Sequence, residues 1–316
     1  MARDYIFEWV EIDIPMCSLV WGTLPCTASL GGEVKRKCWN LRHDCAAPLA
    51  YDPTSVLTLK FFKDGPKPKN FKGFPVLSSV KASSSTVNIA GSDPEMSDLG
   101  RMATLDFELD DFTYHERGID PYVAERISGA AQLSGIGYDP ATRNTFLNKL
   151  RQRWPYYTKA ACRYSKAYLE NDALNTIQTQ NFIMKEMTGP NNGKVGVYCT
   201  GVVDLANAKT SLCPVPSNGR LVLDMTAIAT TFDVTPTGIG AEYPSSGWVC
   251  IGSEVCSYTL VADTFTVVRG TSGTTAATHT QGDTVQLVKD YTLQRIDAVV
   301  HDLIQNYTET PASYLD

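Results

Sequence analysis

Four of the nine cysteines lie close together near the start of the chain. They are Cys17, Cys26, Cys38 and Cys45, and residues 17–45 are called the cysteine segment below. Proline and glycine interrupt this segment repeatedly, which predicts a loop rather than a helix or a strand. Four thiols in one loop can form disulfides, can hold a metal ion or an iron–sulfur cluster, or can be unrelated buried thiols.

The compartment and the cysteine spacing both bear on that choice. The chain begins MARDYIFEWVEIDIP, with acidic residues where a signal peptide needs its apolar core, so we expect synthesis in a reducing cytosol. Cysteines made there are more often free or metal-bound than paired. The gaps of eight, eleven and six residues lack the short C-x2–4-C pairs of zinc ribbons. A wide, irregular spacing is more compatible with a four-iron cluster, while zinc, disulfides and plain buried thiols stay open.

Composition argues against two classes of partner. The 316 residues carry a net charge of −6, whereas a general nucleic-acid binder needs clustered Lys and Arg. The one basic cluster, residues 35–37, lies inside the cysteine segment and is interpreted as an exposed loop. No apolar run approaches the ~18–20 residues needed to span a bilayer. We therefore expect neither nucleic-acid specificity nor a membrane span.

Short alternating or β-branched runs predict that strands dominate the fold. Residues 5–14 and 55–62 lie between turn signals and are predicted strands. Residues 76–90 are predicted to form a hairpin around a Ser-rich turn, and Asn192-Gly193 predicts a second hairpin. The fold class that follows is mixed and β-rich (α+β), with few short helices.

Helical periodicity is confined to a few stretches. Residues 144–154 have the clearest amphipathic pattern, with Asn144 as the predicted N-cap, and residues 292–307 have the longest. Changes in composition divide the chain into four segments, the third a small all-β unit rich in Thr, Ser, Gly and Val. The predicted segments are residues 1–75, 76–214, 215–290 and 291–316. We expect the chain to continue in a longer protein.

The sequence contains no catalytic motif. Of the four histidines only His43 lies near a cysteine, Cys45, and an i, i+2 spacing is no known dyad. The carboxylates Glu108, Asp110 and Asp111 are interpreted as a solvated strand face rather than as an acid–base or metal site. We therefore predict that the protein is not an enzyme.

The remaining cysteines are dispersed, mostly in apolar strand contexts. Because free cysteine is among the most buried residue types, we predict that they are core thiols. Cys250 and Cys256 also lie on either side of a Gly-Ser turn, so a disulfide between them is an alternative. The five dispersed residues are Cys162, Cys199, Cys213, Cys250 and Cys256.

Longer runs of sequence carry a resemblance that extends through most of the chain. They are WVEIDIPMCSLVWG with the later KCWN, NIAGSDPEMSDLGRMATLDFELDDFTYHERGIDPYV, RISGAAQLSGIGYDPATRNTFLNKLRQRWPYY and NFIMKEMTGPNNGKVGVYCTGVVDLANAKTSLCP. These runs resemble the tail-tip, or baseplate hub, proteins of long non-contractile-tailed bacteriophages. The run SSGWVCIGSEVCSYTLVADTFTVVRGTSGTTAATHTQGDTVQLV separately resembles a β-rich module that recurs in phage tail proteins.

The resemblance implies a structural virion protein of the tail tip, made in the host cytoplasm. Such hubs are homotrimers of β-barrel-like and mixed α/β domains that close the distal end of the tail tube and join it to the tip and receptor-binding machinery. The implied partners are the distal tail protein, the tail tube, the tape measure protein and the central tip or fibre proteins. Residues 215–290 would then be an insertion, and residues 291–316 would return to the hub core.

The resemblance also bears on the cysteine segment. Some hubs hold an iron–sulfur cluster through four cysteines, which implies a 4Fe–4S cluster here, with zinc or no metal as alternatives. In that family the cluster belongs to a C-terminal domain, whereas these cysteines open the chain. The candidate ligands are Cys17, Cys26, Cys38 and Cys45.

Two functions of other classes are kept as alternatives. A tail-associated cell-wall hydrolase or cysteine peptidase would need a catalytic dyad, for which His43 and Cys45 are the nearest pair in the sequence. A carbohydrate-binding adhesin would be centred on residues 215–290.

Overall fold

The computed structural model describes residues 5–84, 86–87, 100–207 and 211–308. The chain divides into two compact units, Met1–Val202 and Val203–Asp316. Strands form most of the regular structure in both units and the helices are short, so the predicted β-rich α+β class is confirmed. The division into four segments stays a prediction. None of the described helices is long and apolar enough to cross a membrane.

The first unit is built mainly from strands. Its helices are α1 (Val123–Ser128) and α2 (Phe146–Arg153). Its strands in chain order are β1 Tyr5–Met16, β2 Ser55–Phe62, β3 Leu77–Ser83, β4 Thr86–Val87, β5 Gly100–Arg101, β6 Thr104–Asp110, β7 Ala161–Glu170, β8 Ala173–Asn191 and β9 Lys194–Gly201.

Seven of these strands form one antiparallel sheet that nearly closes on itself. The strand order is β2-β1-β7-β8-β9-β6-β3. Phe74, just before β3, is bridged to Phe61 of β2, and the Phe62 N–H donates to the Phe74 carbonyl at 2.9 Å. Because one edge strand is thus bonded to the segment that runs into the other edge, the sheet has the barrel-like form that the resemblance implied.

Strand alternation explains the core of this unit. Val10, Ile12 and Ile14 of β1 are buried in the main cluster, together with residues from β2, β6, β8 and β9. The intervening side chains face the other way, where Phe7 and Trp9 join a smaller aromatic cluster. Burial of each of these aliphatic or aromatic side chains stabilises the fold by roughly 1.5–3 kcal/mol.

Helix α2 is capped by an aspartate rather than by the predicted N-cap residue. The Asn144 Oδ1 accepts from the Thr145 N–H at 2.8 Å, from the Thr145 hydroxyl and from the Asn148 side chain at 2.9 Å, but in the described residues it accepts from no backbone N–H of α2 itself. The Asp111 Oδ1 accepts from the Leu147 N–H at 2.9 Å, and Asp111 also accepts from the Thr145 hydroxyl. The prediction for Asn144 is therefore wrong, and so is the solvated-face interpretation for Asp111, because a carboxylate at this position satisfies free helix N–H groups.

In its described residues the second unit contains one six-stranded antiparallel sheet, one α-helix and short 3-10 turns. Its strand order is β10-β11-β14-β13-β12-β15, and the Val285 N–H on edge strand β15 bonds the Gly219 carbonyl beside β10 at 2.9 Å. The predicted helix in residues 292–307 is α3, Ile296–Tyr307. The strands are β10 Arg220–Leu221, β11 Thr231–Thr235, β12 Ser246–Ile251, β13 Glu254–Val261, β14 Thr264–Val268 and β15 Val285–Val288.

A buried carboxylate lies within the second unit. Glu254 is fully buried, and its two oxygens each lie 2.7 Å from nitrogens of Arg269. Its carboxylate also lies 2.9 Å from His279 Nε2 and accepts from the N–H groups of Gly270 and Ala277, each at 3.0 Å. This network joins the start of β13 to the loop that follows β14.

The two predicted hairpins have different outcomes. Strands β8 and β9 are joined by the two residues Asn192 and Gly193, both with positive φ, as the Asn-Gly signal predicts. The hairpin predicted in residues 76–90 is wrong, because β3 pairs with β6 instead. Residues 88–90 lie outside the described residues. Residues 77–83 do form a strand, but the strand that pairs with them, β6, is distant in sequence.

The dispersed cysteines are only partly core residues. Cys162, Cys199 and Cys256 are buried, as predicted, whereas Cys213 is exposed and Cys250 is partly exposed. The alternative disulfide between Cys250 and Cys256 is wrong, because both are free thiols. In the β12–β13 register Cys256 lies opposite Val249 and Cys250 opposite Val255, so the two side chains point to opposite faces.

Candidate cysteine site

The cysteine segment is a loop whose two ends are tied together by its own backbone. The Cys17 N–H donates to the Asn40 carbonyl at 2.7 Å, and the Ser18 N–H donates to the Asp52 carbonyl at 2.9 Å. The one helical element described within the segment is the 3-10 turn Arg42–Asp44, and a second 3-10 turn, Pro48–Ala50, follows the segment. The loop predicted from proline and glycine is therefore present.

Asn40 links the first and third of the clustered cysteines. Its Nδ2 donates to the Cys17 carbonyl at 3.1 Å, and the Cys38 thiol donates to its Oδ1 with a sulfur–oxygen distance of 3.6 Å. The residue has φ 58°, a left-handed conformation that Asn tolerates better than most residues. Asn40 thus forms the turn at this point of the loop and holds the backbone at Cys17 close to Cys38.

Helix α1 holds the segment from below through a buried arginine. Arg126 is 1% exposed, and its Nη2 donates to the Cys38 carbonyl at 2.7 Å while Nη1 donates to the Lys37 carbonyl at 3.2 Å. Asp120 accepts from the same guanidinium and neutralises it. The Trp21 N–H also donates to the Tyr122 hydroxyl at 2.8 Å. Side chains around α1 therefore position backbone on both sides of Cys26.

The four clustered thiols lie within electrostatic range of one another. Burial raises the pKa of Cys38 to about 12, and the charges of Asp44, Cys45 and Cys26 add to it although a hydrogen bond with Asn40 opposes it. Burial also raises the pKa of Cys45, with contributions from Cys17 and Cys26. Cys26 and Cys38 are buried, and Cys17 and Cys45 are half-buried. Electrostatic influence therefore connects Cys45 with each of the other three, but the described residues form no group of three or more arranged to hold a metal ion.

This arrangement can be tested for its fit to a metal group. Thiolates that repel one another have raised pKa values, and a cationic metal centre reverses that effect by binding the deprotonated sulfurs. No group of three or more His, Cys, Asp or Glu side chains among the described residues is arranged to hold a metal ion. Cysteine thiols are the donor type that a four-thiolate centre needs, but in the described residues their positions do not form such a centre, so the metal site stays a prediction.

The residues of the alternative dyad do not meet. His43 packs edge-on against Tyr156, with 6.0 Å between ring centroids. In the part of the chain that the structure describes, no hydrogen bond joins His43 to Cys45. The raised pKa of Cys45 is also opposite to the lowered pKa of an activated cysteine nucleophile.

The predicted carboxylate group on β6 is divided by the structure. Glu108 lies at the surface, 3.5 Å from the ammonium of Lys194, as a solvated strand face predicts. Asp111 instead caps α2, as described above. These carboxylates do not form a common acid–base site, because one is at the surface and the other is used by the helix.

Sequence reasoning missed a cluster of aromatic and cationic side chains beside the cysteine segment. Trp39 has the guanidinium carbons of Arg126, Arg153 and Arg36 at 4.0, 4.3 and 4.7 Å from its ring centroid. Arg36 belongs to the basic cluster that was interpreted as an exposed loop. It is exposed, but it also stacks on an aromatic ring. The arginines on α1 and α2 were not separable from ordinary helix-surface charges in the sequence.

The comparisons with known proteins identify no family. No protein-family model matches the chain, and no curated protein matches its sequence. Among solved structures, the chain is similar to a chain of the virion of the native gene transfer agent (GTA) particle, with 8% identity and a TM-score of 0.24 over 97% of this chain and 86% of that one. Similarity at that level establishes neither a fold nor a function.

Proposed function

We propose that this chain is a structural protein of a phage-like virion and, more specifically, the hub that closes the distal end of the tail tube. The long runs of sequence resemblance carry this proposal, because they extend through most of the chain rather than through one short motif. The nearly closed sheet of the first unit is compatible with the barrel-like hub domains that the resemblance implies. The proposal includes assembly as a homotrimer.

The position of the protein in a particle tests this proposal directly. Gold-labelled antibodies raised against the chain should bind one end of the tail on negatively stained virions from its source. Mass photometry of the purified full chain in solution should give a mass equal to three copies of the chain. Antibody bound to the capsid or along the tail shaft would contradict the hub role, and a solution mass of one or two copies would contradict the trimer.

We further propose that the cysteine segment holds an iron–sulfur cluster whose job is structural. The ligands would be Cys17, Cys26, Cys38 and Cys45, and the raised pKa values of Cys38 and Cys45 include contributions from other thiols of this set. A bound cluster would cross-link a segment that otherwise depends on few elements of regular structure. In this role the group would supply stability, since in the described residues the segment is held by hydrogen bonds from Arg126 and Asn40 and by isolated β-bridges rather than by a strand of a sheet.

Iron and sulfide analysis of anaerobically purified protein tests the cluster. We expect equal amounts of iron and acid-labile sulfide, a broad visible absorption, and loss of both in Cys17→Ser and Cys38→Ser. Cys213→Ser is the matched control, because Cys213 is an exposed thiol outside the segment. Zinc in place of iron, or metal content unchanged by the two substitutions, would contradict the cluster and leave the hub proposal standing.

A further inference from the structure

A cavity of about 420 Å³ opens beside the cysteine segment, lined by residues that the proposed cluster does not use. One wall comes from the segment itself and includes Arg36, Trp39 and Asp44. The opposite wall comes from α2 and the residues just before it, including Arg143 and Arg153. Five lining residues are Arg or Lys, whereas Asp44 is the one carboxylate among them. The cavity is therefore cationic in a chain whose net charge is −6.

The cationic residues differ in whether their charge is already neutralised. Arg126 is paired with Asp120. Lys149 and Arg153 share the buried carboxylate of Glu116, at 2.7 and 2.6 Å. Arg36 and Arg143, which are both exposed, make no ion pair with any described residue. These two guanidinium groups are available to bind an anion, and their planar fork of donors matches an oxyanion.

Two polar atoms in the cavity-lining residues are also unsatisfied. Trp39 Nε1 and Asp44 Oδ1 are buried and have no hydrogen-bond partner in the described residues. The other Asp44 oxygen, Oδ2, accepts from the Trp39 N–H at 2.8 Å, which holds the two residues together. Buried polar groups in native proteins are nearly always satisfied, so an unsatisfied donor and an unsatisfied acceptor on two residues that line the same cavity indicate a ligand that can both accept and donate.

We propose that this cavity binds inorganic phosphate in its hydrogen-phosphate form. Arg36 and Arg143 would neutralise the anion, and Trp39 would donate to one of its oxygens. Asp44 would accept a hydrogen bond from the hydroxyl group of hydrogen phosphate. Sulfate has a similar size and charge but carries no proton near neutral pH, so its oxygens would face the Asp44 carboxylate without a hydrogen between them. The site therefore selects phosphate over sulfate.

Calorimetric titration of the full chain near neutral pH, at matched ionic strength, tests the proposal with inorganic phosphate and sulfate as probes. We expect saturable phosphate binding at one site per chain, and sulfate binding at least about tenfold weaker because the Asp44 contact is repulsive. Arg36→Gln and Arg143→Gln should each weaken phosphate binding by about tenfold. Arg42→Gln is the matched control, since Arg42 lies over Tyr51 and does not line the cavity.

Two further variants separate this site from general charge attraction. Asp44→Asn keeps an acceptor for the Trp39 N–H but removes the negative charge, so sulfate should bind about as well as phosphate. Trp39→Phe keeps an aromatic ring but removes Nε1, and should weaken phosphate binding severalfold. Absence of saturable binding, equal affinity for sulfate in the unsubstituted chain, or an equal loss in Arg42→Gln would each overturn the proposal. Circular dichroism of every variant confirms that the fold is retained.

Discussion

Each unit of the protein fixes an irregular loop around one buried charge, but the two charges have opposite sign. In the first unit the Arg126 guanidinium donates to the carbonyls of Lys37 and Cys38. In the second the Glu254 carboxylate accepts from the N–H groups of Gly270 and Ala277. A charged group can satisfy several backbone groups at once where no strand partner is present, and hydrogen bonds to charges are the stronger ones. The same principle therefore serves two unrelated loops.

The surroundings of the two charges differ in how completely they are satisfied. Around Glu254, its partner Arg269 also donates to the carbonyls of Thr226, Ala229 and Ala277 at 2.6–3.1 Å. Around Arg126, the neighbouring atoms Trp39 Nε1 and Asp44 Oδ1 are left without partners among the described residues. A complete network rigidifies a loop, whereas an incomplete one leaves polar groups for a ligand. We therefore expect the Glu254 network to contribute stability, and the surroundings of Arg126 to provide the proposed binding site.

Removing the carboxylate of Glu254 should have the largest effect. Glu254→Gln leaves the Arg269 guanidinium buried without its charge partner, and we expect a loss of about 4 kcal/mol in the stability of the second unit. Hydrogen–deuterium exchange of peptides from residues 246–268 measures this loss in the full chain. The exposed Glu242, also in the second unit, gives the control Glu242→Gln, which should change exchange little. A loss below about 1 kcal/mol would mean that Glu254 is not the centre of the network.

Removing the guanidinium of Arg126 should have a smaller but still large effect. Arg126→Met leaves Asp120 buried and frees the carbonyls of the cysteine segment, and we expect a loss of about 3 kcal/mol. Alkylation of Cys38 followed by mass spectrometry should become faster because the segment opens. In the double variant Arg126→Met with Asp120→Leu, the uncompensated charge is absent and part of the stability should return. Unchanged alkylation of Cys38 in Arg126→Met would show that the segment is held by other contacts.

Acid should destabilise the second unit through Glu254, because this carboxylate accepts from more donors than Glu11 or Asp13, whose pKa values are also lowered in the first unit. Burial alone would raise the pKa of Glu254, but hydrogen bonds from Arg269, the Ala277 N–H and His279 outweigh it and hold that pKa well below its usual range. A depressed folded-state pKa contributes stability above the unfolded value of about 4.3. That stability is lost as the pH falls, on the order of 2 kcal/mol between pH 5 and pH 2.

Hydrogen–deuterium exchange in peptides from β12 to β14, measured at several pH values and corrected for the intrinsic exchange rate, gives the dependence of stability on pH. The dependence of stability on pH should be smaller in Glu254→Gln, because a glutamine side chain does not titrate, whereas Asp263, whose pKa is also lowered, still does. A stability of the second unit that does not change with pH in the unsubstituted chain would contradict the depressed pKa. Glu242→Gln should keep the full dependence on pH.

Much of the fold could be predicted because its signals are local. The alternation in β1 and the Asn192-Gly193 turn each depend on neighbouring residues, and both structures are present. The pairing of β3 with β6 could not be predicted, because residues up to Ser83 and from Thr104 onward are brought together only by the closed sheet. The Asp111 cap was missed for the same reason. Its helix begins 35 residues later in the chain, at Phe146.

In the candidate site, too, features that depend on local sequence could be predicted, whereas contacts between distant residues could not. Proline and glycine in residues 17–45 predicted an irregular segment, which is present, and other thiols of the segment contribute to the raised pKa values of Cys38 and Cys45. Nothing local indicated that Arg126, far along the chain, would hold Cys38, or that three arginines would surround Trp39. Such contacts arise from the way α1 and α2 dock beneath the segment. They are properties of packing, and sequence spacing does not encode them.

Asn40 offers the smallest and most local test of how the cysteine segment is held. Asn40→Ala removes the hydrogen bond to the Cys17 carbonyl and places a Cβ without polar compensation at φ 58°, so we expect a loss of about 1 kcal/mol. Asn40→Gly removes the same hydrogen bond but tolerates that φ, and should be less destabilised than Asn40→Ala. Urea unfolding of the full chain measures both. If the two variants are equally unstable, the left-handed turn contributes nothing, and the loss of stability comes from the Asn40 side-chain hydrogen bonds.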